Sequence, residues 1–288
     1  MFGFGVLFSL SSPSRRTVAL SLCGAVVAAL VAIALLVPLP FTIMYPGITA
    51  NTLGVFPDAK AVGVGGTPAQ VLSITGHPLR QTVGQLRMVT IAATPPQQSI
   101  SIEAALKAWP NPSEAVVPRD AVYPAGQSLA QVNATDQQEM TESQDAATDA
   151  ALGYLKLSPA KVKVSISLAD VGGPSAGLLF TLGIIDELDG NGTGRPGAAG
   201  DLTNGAVIAG TGEIDGAGNV SAVGGVALKT KAAARDGATV FLVPEDECSD
   251  ALAGLPHGLR LIPVSTLQGA ISALGALQTG VGTVPSCS

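Results

Sequence analysis

Charged residues and histidines are scarce in this chain, and each shortage narrows the chemistry it can perform. Only 12% of its 288 residues are charged, against a hydrophobic fraction of 47%, and this balance favours a membrane segment. The net charge is −6, so nucleic acid is not an expected partner, because phosphate binding requires a basic surface. The two histidines, His77 and His257, stand in a His-Pro loop and a Pro-His-Gly turn. We interpret both as turn residues, which leaves a Ser-His-Asp triad poorly supported.

Cofactor and metal motifs are also missing. The three cysteines, Cys23, Cys248 and Cys287, show none of the spacings used to bind metal. No G-x-x-x-x-G-K-[ST] phosphate loop occurs in the chain, so it carries no ATPase module. We therefore expect neither a metal site nor a cofactor.

A long uncharged run follows the N-terminal tail. The tail, residues 1–16, ends in Arg15 and Arg16, and residues 17–37 contain no charge and are mostly Leu, Val, Ala and Ile. This run is long enough to cross the hydrocarbon core of a bilayer as a helix. A cleaved signal peptide is the alternative, but its apolar core is normally shorter and ends at a small-residue cleavage site. Because this run ends in Pro-Leu-Pro-Phe, we predict an uncleaved transmembrane anchor.

The two arginines also predict the orientation of this anchor. No Lys or Arg follows the run until Lys60, so the positive-inside rule places the N-terminus in the cytoplasm and the residues after about 38 outside. The expected location is the cell membrane, with a single pass and an extracytoplasmic domain. Cys248 and Cys287 would then share an oxidising compartment, where a bond between them is an open option.

The exported residues divide into two parts. Residues 38–134 are rich in Gly, Pro, Thr and Val, and they predict a β-rich scaffold with strand-like runs at 61–64, 71–74 and 86–93 and a short helix over 102–109. Residues 135–275 alternate helix and strand patterns, which predicts an α/β or α+β fold, and residues 276–288 form a tail. The elements predicted in the second part are, in order, a helix at 136–155, a strand at 161–168, a helix from Ser175 to about 188, a strand at 206–211, a hairpin turn at 213–218, a helix at 226–235 and a buried strand at 239–243.

The stretch from Leu168 to Gly177 joins one of these strands to the next helix. It reads Leu-Ala-Asp-Val-Gly-Gly-Pro-Ser-Ala-Gly, so Ser175 stands where the first N–H groups of a helix have no internal partners. Those donors would stabilise a negative charge beside the serine, as an acyl-transfer enzyme requires. The alternative is that Ser175 merely caps the helix, since serine is a favoured capping residue. Taken alone, such a string is more often a cap.

Lysine is the remaining source of a base for this serine. Lys229 and Lys231 lie in an otherwise apolar helix, and because they are two residues apart they point to different faces. One of them can therefore be buried, where lost hydration lowers the pKa of an amine towards neutrality. A neutral amine within reach of Ser175 could accept the hydroxyl proton. The alternative for either lysine is a solvated surface charge.

Several separated motifs resemble, in the same order, those of the Lon-type serine–lysine proteases. Gly172–Gly177 (Gly-Gly-Pro-Ser-Ala-Gly) is similar to the nucleophile motif of that family. Thr211–Ile214 is similar to its Thr-Gly-Glu strand end, and Gly224–Lys229 to its Gly-Gly-x-x-x-Lys element. The resemblance covers about residues 135–270 and includes further similar positions, namely 140–143, Ala146, Ala150, Ala232, Ala233, Arg235 and 238–244.

This resemblance implies a Lon proteolytic domain fold and a serine endopeptidase that cleaves proteins or peptides. It assigns Ser175 as nucleophile and Lys229 as general base. The supporting positions it implies are Gly173, Pro174 and Ala176 around the serine, and Thr211, which would hydrogen-bond the Lys229 amine and aim it. A strand-capping threonine is the alternative for Thr211. Related proteolytic domains assemble as rings, so a homo-oligomer is an option.

The anchored layout resembles the membrane-bound Lon-like proteases, with two departures. Those relatives usually carry a PDZ domain between the first core helix and the catalytic strand, whereas only residues 156–161 separate the two here. The third position before the serine, often Asp in the ATP-dependent enzymes, is Gly172. Two other functions stay open, namely a catalytically silent membrane-tethered binding or assembly protein with the same fold, and an enzyme that processes only itself.

Overall fold

The computed structural model describes residues 14–57, 67–168 and 171–288. It begins with a long apolar helix, α1 (Arg15–Leu36), which starts where the Ser14 side chain accepts a hydrogen bond from the Thr17 N–H. Among the described residues, α1 is the one helix whose length and composition would let it cross a membrane, over Arg15–Ile33. A signal sequence near an N-terminus would share these features.

Short strands and helices alternate through the rest of the described chain. The strands are β1 (Phe41–Asn51), β2 (Val55–Phe56), β3 (Ala69–Gln70), β4 (Leu72–Thr75), β5 (Gln85–Ala93), β6 (Ala115–Pro118), β7 (Lys163–Ile166), β8 (Val207–Gly210), β9 (Glu213–Ile214), β10 (Val220–Ser221), β11 (Val240–Pro244) and β12 (Arg260–Val264). The helices after α1 are α2 (Ile102–Ala108), α3 (Leu129–Leu155), α4 (Gly177–Leu188), α5 (Val226–Arg235), α6 (Cys248–Leu252) and α7 (Leu267–Thr279). The predicted mixed α/β class is confirmed, and the predicted run at 61–64 lies outside the described residues.

A six-stranded sheet in the order β12-β11-β8-β5-β1-β6 forms the centre of the protein. The first four of these strands run parallel, whereas β1 is antiparallel to both β5 and β6. Strands β1, β5 and β6 come from residues 38–134, so this segment shares one sheet with the part that follows it. Local sequence patterns do not reveal such pairing, because the partners are far apart in the chain, as Arg87 and Ala209 are.

Strand β11 shows how the sheet is covered on both faces. All five of its residues are buried, as expected for a parallel strand between two layers of helices. Side chains alternate along a strand, so Val240 and Leu242 pack into the cluster formed by α3, α4 and α7, whereas Phe241 and Val243 pack into the cluster formed by α5 and α6. Helices α4 and α5 therefore lie on opposite faces of the sheet.

Helix α3 starts earlier than its sequence pattern predicts, at Leu129 rather than Asp136. A capping box sets this start: Ser128 Oγ accepts from the Gln131 N–H, and Gln131 Oε1 accepts from the Ser128 N–H at 2.8 Å. The first two turns are largely exposed, so they have no apolar periodicity that could have marked them as helix. The expected boundary after residue 134 consequently falls inside α3.

A disulfide joins Cys248, at the start of α6, to Cys287 in the C-terminal tail. The sequence left this bond as an open option, and the structure contains it. The third cysteine, Cys23, is free and exposed on α1. The bond fixes the tail against the segment that follows β11.

The helix that begins beside Ser175, α4, is buried along nearly its whole length. Its last turn contains Asp186, a fully buried carboxylate. Asp186 Oδ1 accepts from the Leu202 N–H at 2.7 Å, and Oδ2 has no hydrogen-bond partner in the described part of the chain. Burial raises the pKa of Asp186 to about 7. The folded protein therefore binds a proton at Asp186 that the unfolded chain releases near pH 4.

Replacing Asp186 by asparagine is expected to stabilise the protein more at pH 8 than at pH 5. The folded protein binds the Asp186 proton more tightly than the unfolded chain does. The free energy of unfolding therefore decreases as the pH rises from about 4 to about 7. Asparagine keeps the acceptor for Leu202 and cannot ionise, so we expect thermal melts to show a relative gain of a few degrees at pH 8, or about 1–3 kcal/mol. Asp189→Asn, at an exposed neighbouring position, is the control. An equal effect of Asp186→Asn at both pH values would contradict this prediction.

Candidate active site

Backbone hydrogen bonds from two sides hold the loop that carries Ser175. On one side, the Gly173 N–H donates to the backbone oxygen of Asp136 in α3 at 2.8 Å, and Ser143 Oγ donates to the oxygen of Pro174. On the other side, the backbone oxygen of Ser175 accepts from the Gly212 N–H at 3.0 Å. Gly173 has a φ of +87°, a value that glycine adopts without strain. The loop is thus positioned without any help from the Ser175 side chain.

Gly172, three residues before Ser175, packs directly against helix α3, which leaves no room for a side chain at this position. A Cβ atom at Gly172 would lie 2.7 Å from the Cβ of Asp136, closer than two carbon atoms pack. Helix α3 thus approaches the loop that carries Ser175 so closely that a side chain at residue 172 would have to displace the helix or the loop.

The Ser175 side chain does not cap helix α4. Ala176 occupies the N-cap position, and the cap has no side-chain hydrogen bond. Within the described residues, the backbone N–H groups of Ser175 and Ala176 have no acceptor. Two free donors therefore lie beside the hydroxyl, at the positive end of the helix dipole. Such donors can stabilise the oxyanion of an acyl-transfer reaction.

Lys229 points into the protein from the first turn of α5. Its side chain is buried, with 3% of the residue exposed, whereas Lys231 is only half-buried and donates to the backbone oxygen of Pro112. Burial lowers the pKa of Lys229 to about 8, and the charge of Glu247 acts against this shift. A substantial fraction of the Lys229 amine is therefore neutral at mildly alkaline pH.

Thr211, the first residue after β8, connects the serine loop to the lysine. Lys229 Nζ donates to Thr211 Oγ1 at 3.0 Å, and Thr211 Oγ1 donates to the backbone oxygen of Ser175 at 3.1 Å. Thr211 is completely buried. Although α4 and α5 lie on opposite faces of the sheet, their N-terminal ends meet at this point, at the carboxyl end of β8.

Ser175 and Lys229 line one open cavity of about 350 Å³. No hydrogen bond joins Ser175 Oγ to Lys229 Nζ in the described structure, and catalytic hydrogen bonds commonly tighten only when substrate binds. The walls are mainly apolar or glycine, and the lining residues from other elements are Met44, Met88, Thr90, Ile91, Met140, Val223, Gly224 and Gly225. Of the predicted supporting residues, Gly173, Pro174 and Ala176 line the cavity, and Thr211 lies behind Lys229.

A comparison with known protein families agrees with this geometry. Residues 168–274 match the Lon protease (S16) C-terminal proteolytic domain. This part of the chain is a Lon-type proteolytic domain. The matched range includes Ser175, Thr211 and Lys229, and it begins after β7. The family consists of serine endopeptidases, so the Lon-type domain of this chain is a serine endopeptidase.

Two groups of residues around the Lon-type site could not be predicted as site residues from the sequence. The first comprises Met44, Met88, Thr90 and Ile91, which reach the cavity from β1 and β5 of the segment interpreted as scaffold. The second is Glu247, a buried carboxylate beside the loop that precedes α5. Both depend on long-range packing, and an apolar-lined cavity assembled from distant strands has no motif that a sequence could display.

Neither of the two histidines lines the cavity. His77 Nδ1 is hydrogen-bonded to the Pro78 backbone oxygen in a surface loop, and His257 is exposed in a turn. In the described ranges, no group of three or more His, Cys, Asp or Glu side chains is arranged to hold a metal ion.

Proposed function

We propose that this protein is a membrane-anchored serine endopeptidase in which Ser175 is the nucleophile and Lys229 the general base. One observation carries the proposal. The cavity that exposes the Ser175 hydroxyl also contains a buried lysine whose amine is held by Thr211. A lysine with a pKa of about 8 is a suitable base for a serine, because an effective base has a pKa near the working pH.

The reaction would proceed in two stages. In the first, neutral Lys229 takes the hydroxyl proton while Ser175 Oγ forms a bond to the peptide carbonyl carbon, and the free N–H groups of Ser175 and Ala176 stabilise the oxyanion. The carbon–nitrogen bond then breaks, and the lysine ammonium returns its proton to the leaving amine. In the second stage, Lys229 activates a water molecule that hydrolyses the acyl-enzyme and regenerates the serine.

The cavity walls favour an apolar side chain next to the scissile bond. Met44, Met88 and Met140 present flexible thioether chains to the cavity, and such side chains adapt to apolar groups of different shapes. We therefore propose unfolded or extended polypeptides as the substrates. Thr211 would act as a positioning residue that holds the Lys229 amine towards the serine.

The proposed site lies outside the cytoplasm. Arg15 and Arg16 stand on the N-terminal side of α1, and the positive-inside rule keeps that side cytoplasmic. The bond between Cys248 and Cys287 supports the same orientation, since disulfides persist in oxidising compartments. We propose that α1 stays attached as a single-pass anchor.

Covalent labelling of intact cells tests the site and the orientation together. A negatively charged β-lactone probe, which acylates nucleophilic serines and does not cross membranes, is expected to label the wild-type protein and not Ser175→Ala. Mass spectrometry of the labelled peptide should place the acyl group on Ser175. Labelling that appears only after lysis would contradict the orientation, and equal labelling of Ser175→Ala would contradict the nucleophile.

A further inference from the structure

Glu247 is a buried carboxylate that the proposed mechanism leaves unused. It lies in the short turn between β11 and α6, with 7% of the residue exposed. One carboxylate oxygen accepts from the Gly224 N–H at 2.7 Å and the other accepts from the Val223 N–H at 3.0 Å. Hydrogen bonds from backbone N–H groups to a carboxylate are stronger than those between neutral groups. Both oxygens of Glu247 are thus committed to one short loop.

The loop held by Glu247 contributes both to the cavity and to the position of the base. Val223, Gly224 and Gly225 line the cavity beside Ser175. Helix α5 starts directly after Gly225, and Lys229 lies in its first turn. Gly224 and Gly225 both have positive φ values, so this segment has a sharply defined path that few other residues could follow. A displacement of the loop would therefore move the lysine relative to the serine.

Glu247 also supplies the negative charge that acts on Lys229. Its charge raises the pKa of Lys229 against the lowering that burial causes. The other charged side chains of α5 have different partners, since Lys231 bonds to Pro112 and Arg235 to Asp236. Lys229 becomes an ammonium ion when it takes the serine proton, and a nearby carboxylate stabilises that ion. An aspartate does the same for the imidazolium of a serine triad.

We propose that Glu247 is a positioning residue of the active site, which fixes the 223–225 loop and stabilises the ammonium form of Lys229 during acylation. This inference rests on the proposed function of Ser175 and Lys229. The disulfide contributes as well, because Cys248 follows Glu247 directly and is bonded to Cys287. The C-terminal tail therefore supports the turn from which Glu247 reaches the loop.

The pH dependence of peptide cleavage by the full-length protein in detergent tests this role. Glu247→Gln removes the charge and retains one acceptor oxygen. Without the carboxylate the Lys229 amine loses its proton more readily, so the acid limb of the kcat/KM profile should move to lower pH by about 0.5–1 unit. The plateau should fall roughly tenfold, because the ammonium ion is no longer stabilised in the transition state. A purely structural residue would lower the plateau without moving the limb.

Two further variants separate the charge of Glu247 from its shape. Glu245→Gln, at an exposed position in the same turn, makes the same change in net charge and should leave the profile unchanged. Glu247→Asp keeps the charge on a shorter side chain, so its limb should stay at the wild-type pH while its plateau falls. If Glu247→Gln does not fold, Glu247→Asp tests the proposal by itself. A wild-type plateau of kcat/KM in Glu247→Asp would overturn the positioning role.

Parallel measurements on Ser175→Ala and Lys229→Met distinguish failure of this inference from failure of the proposed function. If both variants are inactive and the Glu247→Gln limb stays at the wild-type pH, the dyad stands and the role of Glu247 is refuted. If Ser175→Ala retains activity, the proposed function itself fails.

Discussion

Ser175→Ala is expected to lower kcat/KM for a fluorogenic peptide or for casein by roughly 10⁴-fold or more, as loss of the nucleophile does in other serine proteases. The alanine variant cannot form the acyl-enzyme, and only the oxyanion donors and the binding cavity would remain. The assay uses the full-length protein in detergent.

The same substitution should leave the thermal melt within about 1 °C, because small changes at partly exposed sites rarely affect stability. The loop is held through the backbone of Gly173 and Ser175 and through Ser143, none of which changes. Ser221→Ala, at an exposed serine in β10, is the matched control and should retain wild-type activity. Substantial cleavage by Ser175→Ala would refute the assignment of the nucleophile.

Replacement of Lys229 by methionine is expected to lower kcat/KM by about 10³-fold or more, since general-base catalysis contributes up to roughly 10⁴-fold. Methionine fills a similar volume without an amine, so it removes the base and keeps the packing. The matched control is Lys231→Met, two residues away on another face of α5, where the amine binds Pro112 rather than the site. That variant should keep most of its activity.

The pKa of Lys229 predicts both the pH dependence of wild-type activity and the stability of Lys229→Met. With the pKa of Lys229 lowered to about 8, activity should rise with pH through an acid limb near that value. Because the unfolded chain keeps this proton up to about pH 10.5, the stability of the wild type should rise with pH between about 8 and 10.5. Lys229→Met lacks this dependence, so its stability advantage should be largest below pH 8. An activity limb near pH 6 would instead indicate a histidine base.

Local patterns predicted the elements that carry the proposed site residues. Helix α5 was predicted from Val226 to Arg235 and has these bounds, because two glycines precede it and Gly237 follows it. Strand β11 was predicted at 239–243, one residue before its observed bounds of Val240–Pro244, and its uninterrupted apolar run left few alternatives. Such patterns are local, and each is terminated by glycine or proline.

Longer-range features were harder to predict. Local patterns could not decide which of Lys229 and Lys231 is buried, since the two residues share one helix, and only the resemblance to the Lon-type proteases singled out Lys229. The sequence did not indicate that β5 pairs with β8, or that Met44 and Met88 would line the cavity. Those contacts join residues more than a hundred positions apart, where no short-range periodicity constrains the chain.

The sequence by itself determined the chemical parts of this protein. A serine precedes a helix at a glycine-rich junction, two lysines occupy an apolar helix, and an uncharged run long enough to span a membrane follows two arginines. Tertiary structure decided how these parts combine. Packing of α5 against the sheet buries Lys229 and lowers the pKa of its amine, and Thr211 joins it to the Ser175 loop. Burial and hydrogen-bond geometry arise only when distant segments meet, so the base and its environment are properties of the fold.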